Sequence, residues 1–591
     1  MMNRKTFLKQ SLGLGSLAVF SPLALANTLQ SQDTTNDDTI YIRAVKANNK
    51  VVSDLITVLA KDITVLKRDL GFDYANLASA YCAPESAYYQ RAELVPLMEK
   101  IMKFLLKEQK PDGTLDIANV ESPPDTAFIL EPICSTMVFL LKNTSKALNE
   151  VKELSKQFIL RAGDALTVGG IHTPNHRWVI SAALAQVNEL YPNPKYIKRI
   201  DEWFSESLFI DDEGHYLERS MTYAQVINRS LITMSRLLDK PELLQSVRKN
   251  LDMVLYYLEP NGELVSTDSR RQDQFAFRNA LLFYLDYRYM AILDKNGNYA
   301  AMTQFIEKMV GFDNVVLNQS LFHFLENPLL KKELSVIGSL STNYEKFFRQ
   351  TNLVRIRRGE RTFTIFGGAD FPIIIGSGRS TNPNFLSFVK GEAVLKYMRL
   401  SSEFFSTGYF RSEGITKENG KYLLHQKVEV PYYQPLPDNF KRKDGDYKLS
   451  QSVDRRFWNK MDFENRPLSN VKTLESKITI SENNGAMELV FEVFGTDNIN
   501  VTIEFCFNEG GQLSKMRTFD DQPDNFFLES GLGTYTVGKD TITFGTGNYH
   551  HNKLKAIDGE IYTSHFGNLR MPGTHVYITG KTPFKHTITL G

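Results

Sequence analysis

Apolar residues recur at intervals of three and four positions along the first half of the chain, beginning with Val51, Leu55 and Leu59. A stripe of this period is typical of an amphipathic helix. The same pattern predicts further helices near residues 91–108, 127–144, 146–165, 175–191, 196–208, 221–238, 240–258, 274–294 and 299–311. Short turn-like links separate them. We therefore expect residues 40–345 to form antiparallel helix pairs, arranged as an α/α toroid or as an irregular helical array.

The apolar period changes to two near residue 350. Residues 353–358 and 361–366 alternate in polarity around a Gly-Glu pair, which predicts a β-hairpin. Similar runs start near residues 487, 501, 541 and 575. Many short strands of this kind predict an antiparallel β-sandwich over residues 350–591. The expected fold class is therefore multidomain α+β: an α/α toroid forming an incomplete barrel, followed by a sandwich, with the boundary at about 340–352.

The N-terminus has the pattern of an export signal. Arg4 and Lys5 precede a mostly apolar run, Leu12–Leu25, that ends in a small-x-small cleavage pattern. We predict a signal peptide over residues 1–26 and a disordered leader over 27–39. No cysteine follows the cleavage pattern, which argues against a lipoprotein. No later apolar run is long enough to cross a membrane, so we expect an exported, periplasmic protein without a membrane span.

Length, charge and cysteine content narrow the classes of function. The 591 residues are too many for one core, and the net charge of +1 argues against nucleic-acid binding. An acidic ligand would need a local basic site. The three cysteines, Cys82, Cys134 and Cys506, form neither a disulfide framework nor a zinc-binding spacing. A disulfide between Cys82 and Cys134 or two buried thiols both remain open.

One stretch, residues 169–178, places three polar side chains at the predicted start of a helix. A glycine pair ends the preceding helix, and Asn175, His176 and Arg177 follow a proline. The positive end of the helix dipole and the unpaired amides of the first turn favour an anion there. The sequence therefore predicts an anion-binding site, with a simple polar helix cap as the alternative.

A second stretch, residues 211–223, ends with Tyr223 early in another predicted helix. In a toroid, the loops at one end of successive helix pairs face the same cleft. We therefore expect Tyr223 to share a cleft with Asn175 and His176. The alternative for Tyr223 is a buried core tyrosine whose hydroxyl is hydrogen-bonded.

These two stretches, together with the order of helical and sandwich regions, resemble the heparinase II/III-like and alginate-lyase-like polysaccharide lyases. The likeness rests on the Asn-His pair and on an acidic-Gly-x-Tyr-x-Glu-x-Ser-x-x-Tyr pattern. It implies that Asn175 binds a uronate carboxylate, that His176 takes part in proton transfer, and that Tyr223 is the proton-transferring tyrosine. Arg219, between Glu and Ser, departs from the usual pattern of these families.

The implied reaction explains the residue types. The C5 proton of a 4-linked uronate becomes acidic only when the neighbouring carboxylate is neutralised, for which Asn175 with Arg177 or Arg219 is suited. A base then removes that proton and an acid protonates O4 of the leaving sugar, and Tyr223 and His176 are the candidates. Such an elimination needs no external cofactor and no catalytic metal, while a structural divalent cation in the sandwich remains open.

Other polar loops are candidates for binding an acidic polysaccharide. Glu121 and Asp125 precede an apolar helix, Arg270 lies in a second polar loop, and His425 lies in the sandwich. Helix capping and solvated loops are the alternative for these positions. Sparse Lys and Arg in the two motif stretches favour a non-sulfated polyuronate such as alginate, polymannuronate or glucuronan. The C5 epimer, endo or exo action and oligomeric state remain open.

Two other functions fit the same pattern. A glycoside hydrolase on the same toroid needs paired carboxylates about 5–10 Å apart, and the chain offers Glu121, Asp125, Glu218 and Asp268. A non-catalytic glycan-binding protein needs only an aromatic cleft. Ultraviolet absorbance separates these hypotheses, because only elimination creates a conjugated 4,5-unsaturated uronate.

Overall fold

A computed structural model describes residues 38–591, apart from 277, 335–336, 375–377, 515, 520–521, 555–560, 564–566 and 569. The predicted signal peptide and nearly all of the predicted leader lie outside these residues. The chain forms two compact units. The first contains the described residues up to 217 with 222–255 and 280–340, and the second contains 218–221, 256–279 and 341–591. Two segments of the predicted helical half therefore belong to the second unit.

The first unit is built mainly from α-helices. Within the described residues these helices, including α8 and α9 whose ends belong to the second unit, are α1 (Ile40–Leu59), α2 (Asp69–Cys82), α3 (Leu94–Glu108), α4 (Pro123–Leu140), α5 (Asn149–Val168), α6 (His176–Leu190), α7 (Pro194–Phe204), α8 (Met221–Leu237), α9 (Leu244–Tyr257), α10 (Tyr284–Asp294), α11 (Gly297–Glu307), α12 (Phe312–Val315) and α13 (Leu321–Glu326). No helix of the described chain is both long and apolar enough to cross a bilayer.

Helix α4 packs against both α2 and α6. The apolar period does not predict α2. Every residue from Tyr74 to Tyr81 is buried there, so small and polar residues share the buried surface and no apolar stripe stands out. Burial of a large side chain such as Tyr74 contributes roughly 1.5–3 kcal/mol.

The single helix predicted over residues 274–294 is wrong. The chain instead forms a 3₁₀ turn at Gln272–Phe275, a short strand, a second 3₁₀ turn at Ala280–Phe283 and then helix α10. The break falls where the chain leaves the second unit, whose segment 256–279 ends at this point. Tertiary contacts within that segment override the local helical pattern.

The strands are, in chain order, β1 (Leu115–Ile117), β2 (Asn119–Ser122), β3 (Glu263–Leu264), β4 (Arg278–Asn279), β5 (Asn343–Phe348), β6 (Leu353–Arg358), β7 (Arg361–Phe366), β8 (Leu386–Lys390), β9 (Ala393–Ser402), β10 (Ile415–Glu418), β11 (Lys421–Tyr433), β12 (Ser450–Gln451), β13 (Trp458–Asn459), β14 (Leu468–Asn483), β15 (Ala486–Gly495), β16 (Asn500–Phe507), β17 (Gln512–Ser514), β18 (Arg517–Phe519), β19 (Gln522–Phe527), β20 (Leu532–Val537), β21 (Asp540–Gly545), β22 (Ile561–Thr563), β23 (Gly567–Asn568), β24 (Thr574–Lys581) and β25 (Phe584–Leu590). The predicted hairpin is present as β6 and β7, with Arg358 opposite Arg361.

The second unit contains two large sheets. One has the order β10-β11-β14-β15-β25-β21-β20-β17, and the other has the order β18-β19-β24-β16-β9-β8-β7-β6-β5. Pairing among the described strands is antiparallel, except that β19 runs parallel to β24. Alternate residues of both sheets enter one apolar core, for example Ile503 and Phe505 of β16 with Leu489 and Phe491 of β15. This is the layered packing of a β-sandwich.

A buried ion pair attaches residues 256–279 to the nine-stranded sheet. Arg355 of β6 has a fully buried side chain, and its two terminal nitrogens each lie 2.9 Å from an oxygen of Glu259. The same guanidinium donates to the Tyr256 carbonyl at 2.9 Å and to Thr364 Oγ1 at 2.6 Å. A buried charge is tolerated when it is paired and hydrogen-bonded in this way. This pair therefore fixes the start of the 256–279 segment.

Replacing Arg355 with methionine would leave the Glu259 carboxylate buried without its cation. We expect the free energy of unfolding to fall by about 3–5 kcal/mol, measured by urea denaturation followed by circular dichroism. Arg442→Met is the matched control, because Arg442 pairs with Asp444 on the exposed surface and its loss should leave the denaturation midpoint nearly unchanged. Equal shifts in the two variants would contradict the assignment.

Candidate active site

The N-terminal ends of α2, α4 and α6 meet at one end of the first unit. Arg68 at the start of α2 donates to Asp125 in the first turn of α4, with Nε 2.8 Å from Oδ1. The same guanidinium lies 4.6 Å above the ring centre of Phe128. The Phe128 ring in turn contacts His176, the first residue of α6, edge to face at 6.4 Å. A continuous chain of contacts therefore joins three helix starts.

Helices α4 and α6 run in the same direction. Phe128 contacts His176 at the start of both helices, and further along both of them Gln186 Nε2 donates to Ser135 Oγ at 2.9 Å. Parallel helices place their positive dipole ends side by side, and each end carries backbone amides with no partner inside the helix. This end of the first unit is therefore suited to hold an anion.

Gly169 allows the preceding helix to end next to this site. It follows the last residue of α5, and a side-chain carbon built on it would lie 2.5 Å from Pro123 Cγ at the start of α4. A larger residue at position 169 would force the end of α5 away from the start of α4. Gly169 therefore has a packing role, whereas a side-chain carbon built on Gly170 would meet nothing within 4 Å.

Asn175 and His176 lie where the sequence places them, but both are more enclosed than a surface cap. Asn175 is fully buried, and its Nδ2 donates to Thr173 Oγ1 at 3.2 Å. Asn175 occupies the N-cap position of α6, but its side chain makes no capping hydrogen bond to the helix backbone. His172, which is exposed, packs edge to face on His176 with ring centres 4.7 Å apart. His172 is thus the more accessible imidazole of the pair.

The other predicted residues of the first unit have structural partners. Arg177 lies 2.9 Å from Glu206 and stacks on Trp178. Asp125 is buried against Arg68 and Ser122, while Glu121 is exposed beside it on β2 with a positive φ of 46°. Arg68, in the same region, keeps 36% of its side chain exposed. The apolar period did not mark it, because it precedes the helix that the pattern missed.

Tyr223 lies half-buried in the first turn of α8. Two turns further on, Arg229 Nε lies 2.9 Å from Glu131 Oε1, and Glu131 likewise lies about two turns into α4. This ion pair places α8 beside α4 within the first unit.

The Glu-Arg-Ser part of the motif, residues 218–220, is held by an ion pair and hydrogen bonds within the second unit. Arg271 forms a buried ion pair with Glu218, and the Arg270 amide donates to the Glu218 carbonyl at 3.0 Å. Ser220 Oγ donates to Asp273 Oδ2 at 2.7 Å. Between these two anchors, Arg219 adopts a left-handed backbone with φ 51°. The Arg219 side chain therefore extends from a backbone whose conformation is fixed and strained.

Arg270 and His425 also have partners within the second unit. Arg270 forms two hydrogen bonds with Asp370, at 3.1 and 3.0 Å. Partial burial alone would raise the pKa of Asp370, but Arg270 and the Ser380 amide hold the pKa below its usual value. His425 Nε2 lies 3.0 Å from Glu475 on the neighbouring strand. Asp370 remains ionised and keeps Arg270 in place.

The described residues contain no group of three or more histidine, cysteine, aspartate or glutamate side chains arranged to hold a metal ion. Cys82, Cys134 and Cys506 are free thiols, so the structure has no Cys82–Cys134 bridge. Burial raises the pKa of the Cys134 thiol well above its usual value. These cysteines have the properties of packing residues.

No family model matches the chain, and no curated protein matches its sequence. Solved structures do match it. Heparinase III is 11% identical with a TM-score of 0.54, covering 99% of this chain and 88% of its own. A Streptomyces coelicolor A3 chondroitin AC lyase is 12% identical with a TM-score of 0.52, covering 94% and 80%. A Paenibacillus xanthan lyase is 10% identical with a TM-score of 0.53, covering 93% and 57%.

The chain has the fold of these polysaccharide lyases. The predicted fold class, an α/α toroid followed by an antiparallel β-sandwich, is thereby confirmed. At 10–12% identity the likeness concerns the fold. Roles of individual residues in this lyase fold have to be argued from their own geometry.

Asp273 is buried and accepts hydrogen bonds from Ser220 and Ser269. Asp273→Ala removes both acceptors and should cost about 1–3 kcal/mol. We expect faster amide hydrogen exchange in residues 218–221 and 266–273, measured by mass spectrometry. The exposed Asp446→Ala is the control. Unchanged exchange around Ser220 would show that Asp273 does not hold this segment.

Proposed function

We propose that the chain is a polysaccharide lyase that cleaves 4-linked uronate-containing polysaccharide by β-elimination. The supporting observation is the meeting of three helix starts around Asn175 and His176, within a lyase fold. Asp125 neutralises much of the Arg68 charge, so the positive field at this site comes mainly from the helix ends. A substrate carboxylate held there would lose charge, and its C5 proton would become removable.

The helix directions support a place for Tyr223 in the same cleft. Alternate helices of an α/α toroid run the same way, as α4 and α6 do. If α8 runs in the same direction as α4, the Arg229–Glu131 ion pair aligns the starts of these two helices. Tyr223, in the first turn of α8, then lies at the end of the unit where Asn175 and His176 begin α6. Its hydroxyl would then be placed to transfer a proton to O4 of the leaving sugar.

The carboxylates support elimination over hydrolysis. A glycosidase needs two carboxyl groups that reach the substrate. Asp125 and Glu218 are buried in ion pairs with arginines, and Asp268 is fully buried and accepts a hydrogen bond from Tyr257 at 2.7 Å. Of the four candidates, Glu121 is the exposed one.

The preferred substrate is a non-sulfated polyuronate, either polymannuronate of the alginate type or glucuronan, met by an exported, periplasmic protein. Incubation with alginate, glucuronan, heparan, hyaluronan and ulvan, followed by ultraviolet absorbance, tests this proposal directly. We expect absorbance from a 4,5-unsaturated uronate with at least one non-sulfated polymer. New reducing ends without that absorbance would indicate a hydrolase, and binding without either signal would indicate a glycan-binding protein.

Tyr223→Phe removes the ionisable oxygen and keeps the ring. We expect elimination to slow by about 10²–10⁴-fold, the usual contribution of acid–base catalysis, with little change in melting temperature. Initial ultraviolet rates on the accepted polymer measure this. Tyr289→Phe, which removes a hydroxyl from another tyrosine of the first unit, is the control. A near-normal rate in Tyr223→Phe would contradict the mechanism.

The two neighbouring imidazoles are distinguished by His172→Ala and His176→Ala. If His176 takes the C5 proton, which an anti elimination requires, its loss should slow turnover about 10²-fold or more. His172→Ala should then lose much less, because it keeps the His176 ring. The rates of both variants on substrates of each C5 epimer show whether the elimination is syn or anti. A larger loss in His172→Ala would assign the proton transfer to the exposed imidazole instead.

A further inference from the structure

A polar cleft of about 580 Å³ lies entirely within the second unit. Its lining includes Arg219, Gln350, Asn352, the turn at residues 367–371, Glu413, Gly414 and Arg455. These residues come from the part of the motif at residues 218–221, from the turns beside β5, β7 and β10, and from the loop between β12 and β13. The cleft is thus assembled from segments far apart in the sequence.

Arg219 brings a positive charge to this cleft. Its Nη2 donates to the Gln350 carbonyl at 3.2 Å. The Arg219 charge also helps to lower the pKa of Asp370, which lines the same cleft and is hydrogen-bonded to Arg270. A guanidinium has five N–H donors, so most of them remain for a ligand. The anchored neighbours Glu218 and Ser220 hold the left-handed backbone from which this side chain extends.

Arg455 brings a second positive charge. It lies at the tip of the loop between β12 and β13, is exposed, and has a positive φ of 61°. Its neighbour Arg456 braces the loop, since it pairs with Asp454 and stacks on Phe457. By contrast, the Arg455 side chain makes no hydrogen bond or ion pair with the described residues. The loop therefore uses one arginine for its own structure and presents the other to the cleft.

The remaining groups suit a sugar ring. Phe371 is 42% exposed and gives an apolar surface. Asp370 is already neutralised by Arg270, while Glu413 is exposed and can accept hydrogen bonds from hydroxyl groups. Two guanidinium groups with a flat apolar surface and nearby polar groups match the chemistry of an acidic saccharide.

We propose that this cleft is a subsite for an acidic sugar, in which Arg219 and Arg455 bind the anionic substituent and Phe371 packs against the ring. The class of ligand, an acidic sugar, rests on the proposed function. The subsite extends that function by assigning a binding role to residues of the sandwich unit. The anion is a carboxylate or a sulfate ester, which a guanidinium binds through the same paired N–H donors.

The test is calorimetric binding of saccharides to the full chain carrying Tyr223→Phe, so that turnover does not consume the ligand. The probes are oligomannuronate, oligoglucuronate and heparan sulfate oligosaccharides, each also in carboxyl-reduced form, and the last also desulfated. The variants are Arg219→Ala, Arg455→Ala, the double variant and Arg455→Lys. Arg442→Ala, an exposed arginine already paired with Asp444, is the matched control.

We expect each single alanine variant to weaken binding of an acidic oligosaccharide about 10-fold, and the double variant to weaken it further, as expected for charged hydrogen bonds. Arg455→Lys should recover part of the loss. The control should bind like the parent. The parent should bind a ligand that lacks the recognised anion as weakly as the double variant binds the intact ligand; carboxyl reduction removes a carboxylate, and desulfation removes a sulfate ester. Which of these two modifications weakens binding identifies the anion.

Parent-like binding of acidic ligands by the double variant, with the fold intact by circular dichroism, would overturn the subsite. If the active chain still produced the ultraviolet product, the proposed function would stand and only the subsite would fail. If the Tyr223→Phe parent bound no acidic oligosaccharide and the chain with Tyr223 intact made no product, both proposals would fail. Equal weakening in the Arg442→Ala control would also overturn the subsite, because it would indicate a general charge effect.

Discussion

The placement of residues 218–221 in the second unit starts from the buried charge of Arg355. Arg355 lies inside the nine-stranded sheet region with no exposed surface, so it requires a carboxylate, and Glu259 supplies it. That pairing fixes residues 256–279 against the sheet. The loop that follows then holds the motif segment through Arg271 and Asp273. The backbone position of Arg219 therefore follows, step by step, from a charge that must be neutralised inside the protein.

The first unit depends on helix direction instead. Because α4 and α6 run the same way and pack together, their N-terminal ends lie side by side with the start of α2. The positive ends of the dipoles and the free backbone amides are then concentrated at one place. Such a site favours an anion without a large net charge on the chain, and the net charge is only +1.

Several carboxylates near the motif stretches are engaged in ion pairs within the structure. Asp125, Glu218 and Asp370 each hold an arginine in place. This use of carboxylates weakens the hydrolase hypothesis. It also separates the arginines into those that form ion pairs and those, Arg219 and Arg455, that form none with the described residues. The second group is where an external anion gains most, because its binding breaks no existing ion pair.

The sequence by itself determined that a helical half precedes a half of short strands, the hairpin of β6 and β7, and the position of Asn175 and His176 at a helix start. Those features follow from local period and turn residues, which the chain carries within a few positions. Only the tertiary structure decided that α2 is a helix, that residues 274–294 are broken, and that Arg68, Phe128 and Arg455 line polar sites. Each of these depends on burial or on partners distant along the chain, and no local pattern encodes which distant side chain will neutralise a charge or cover a ring.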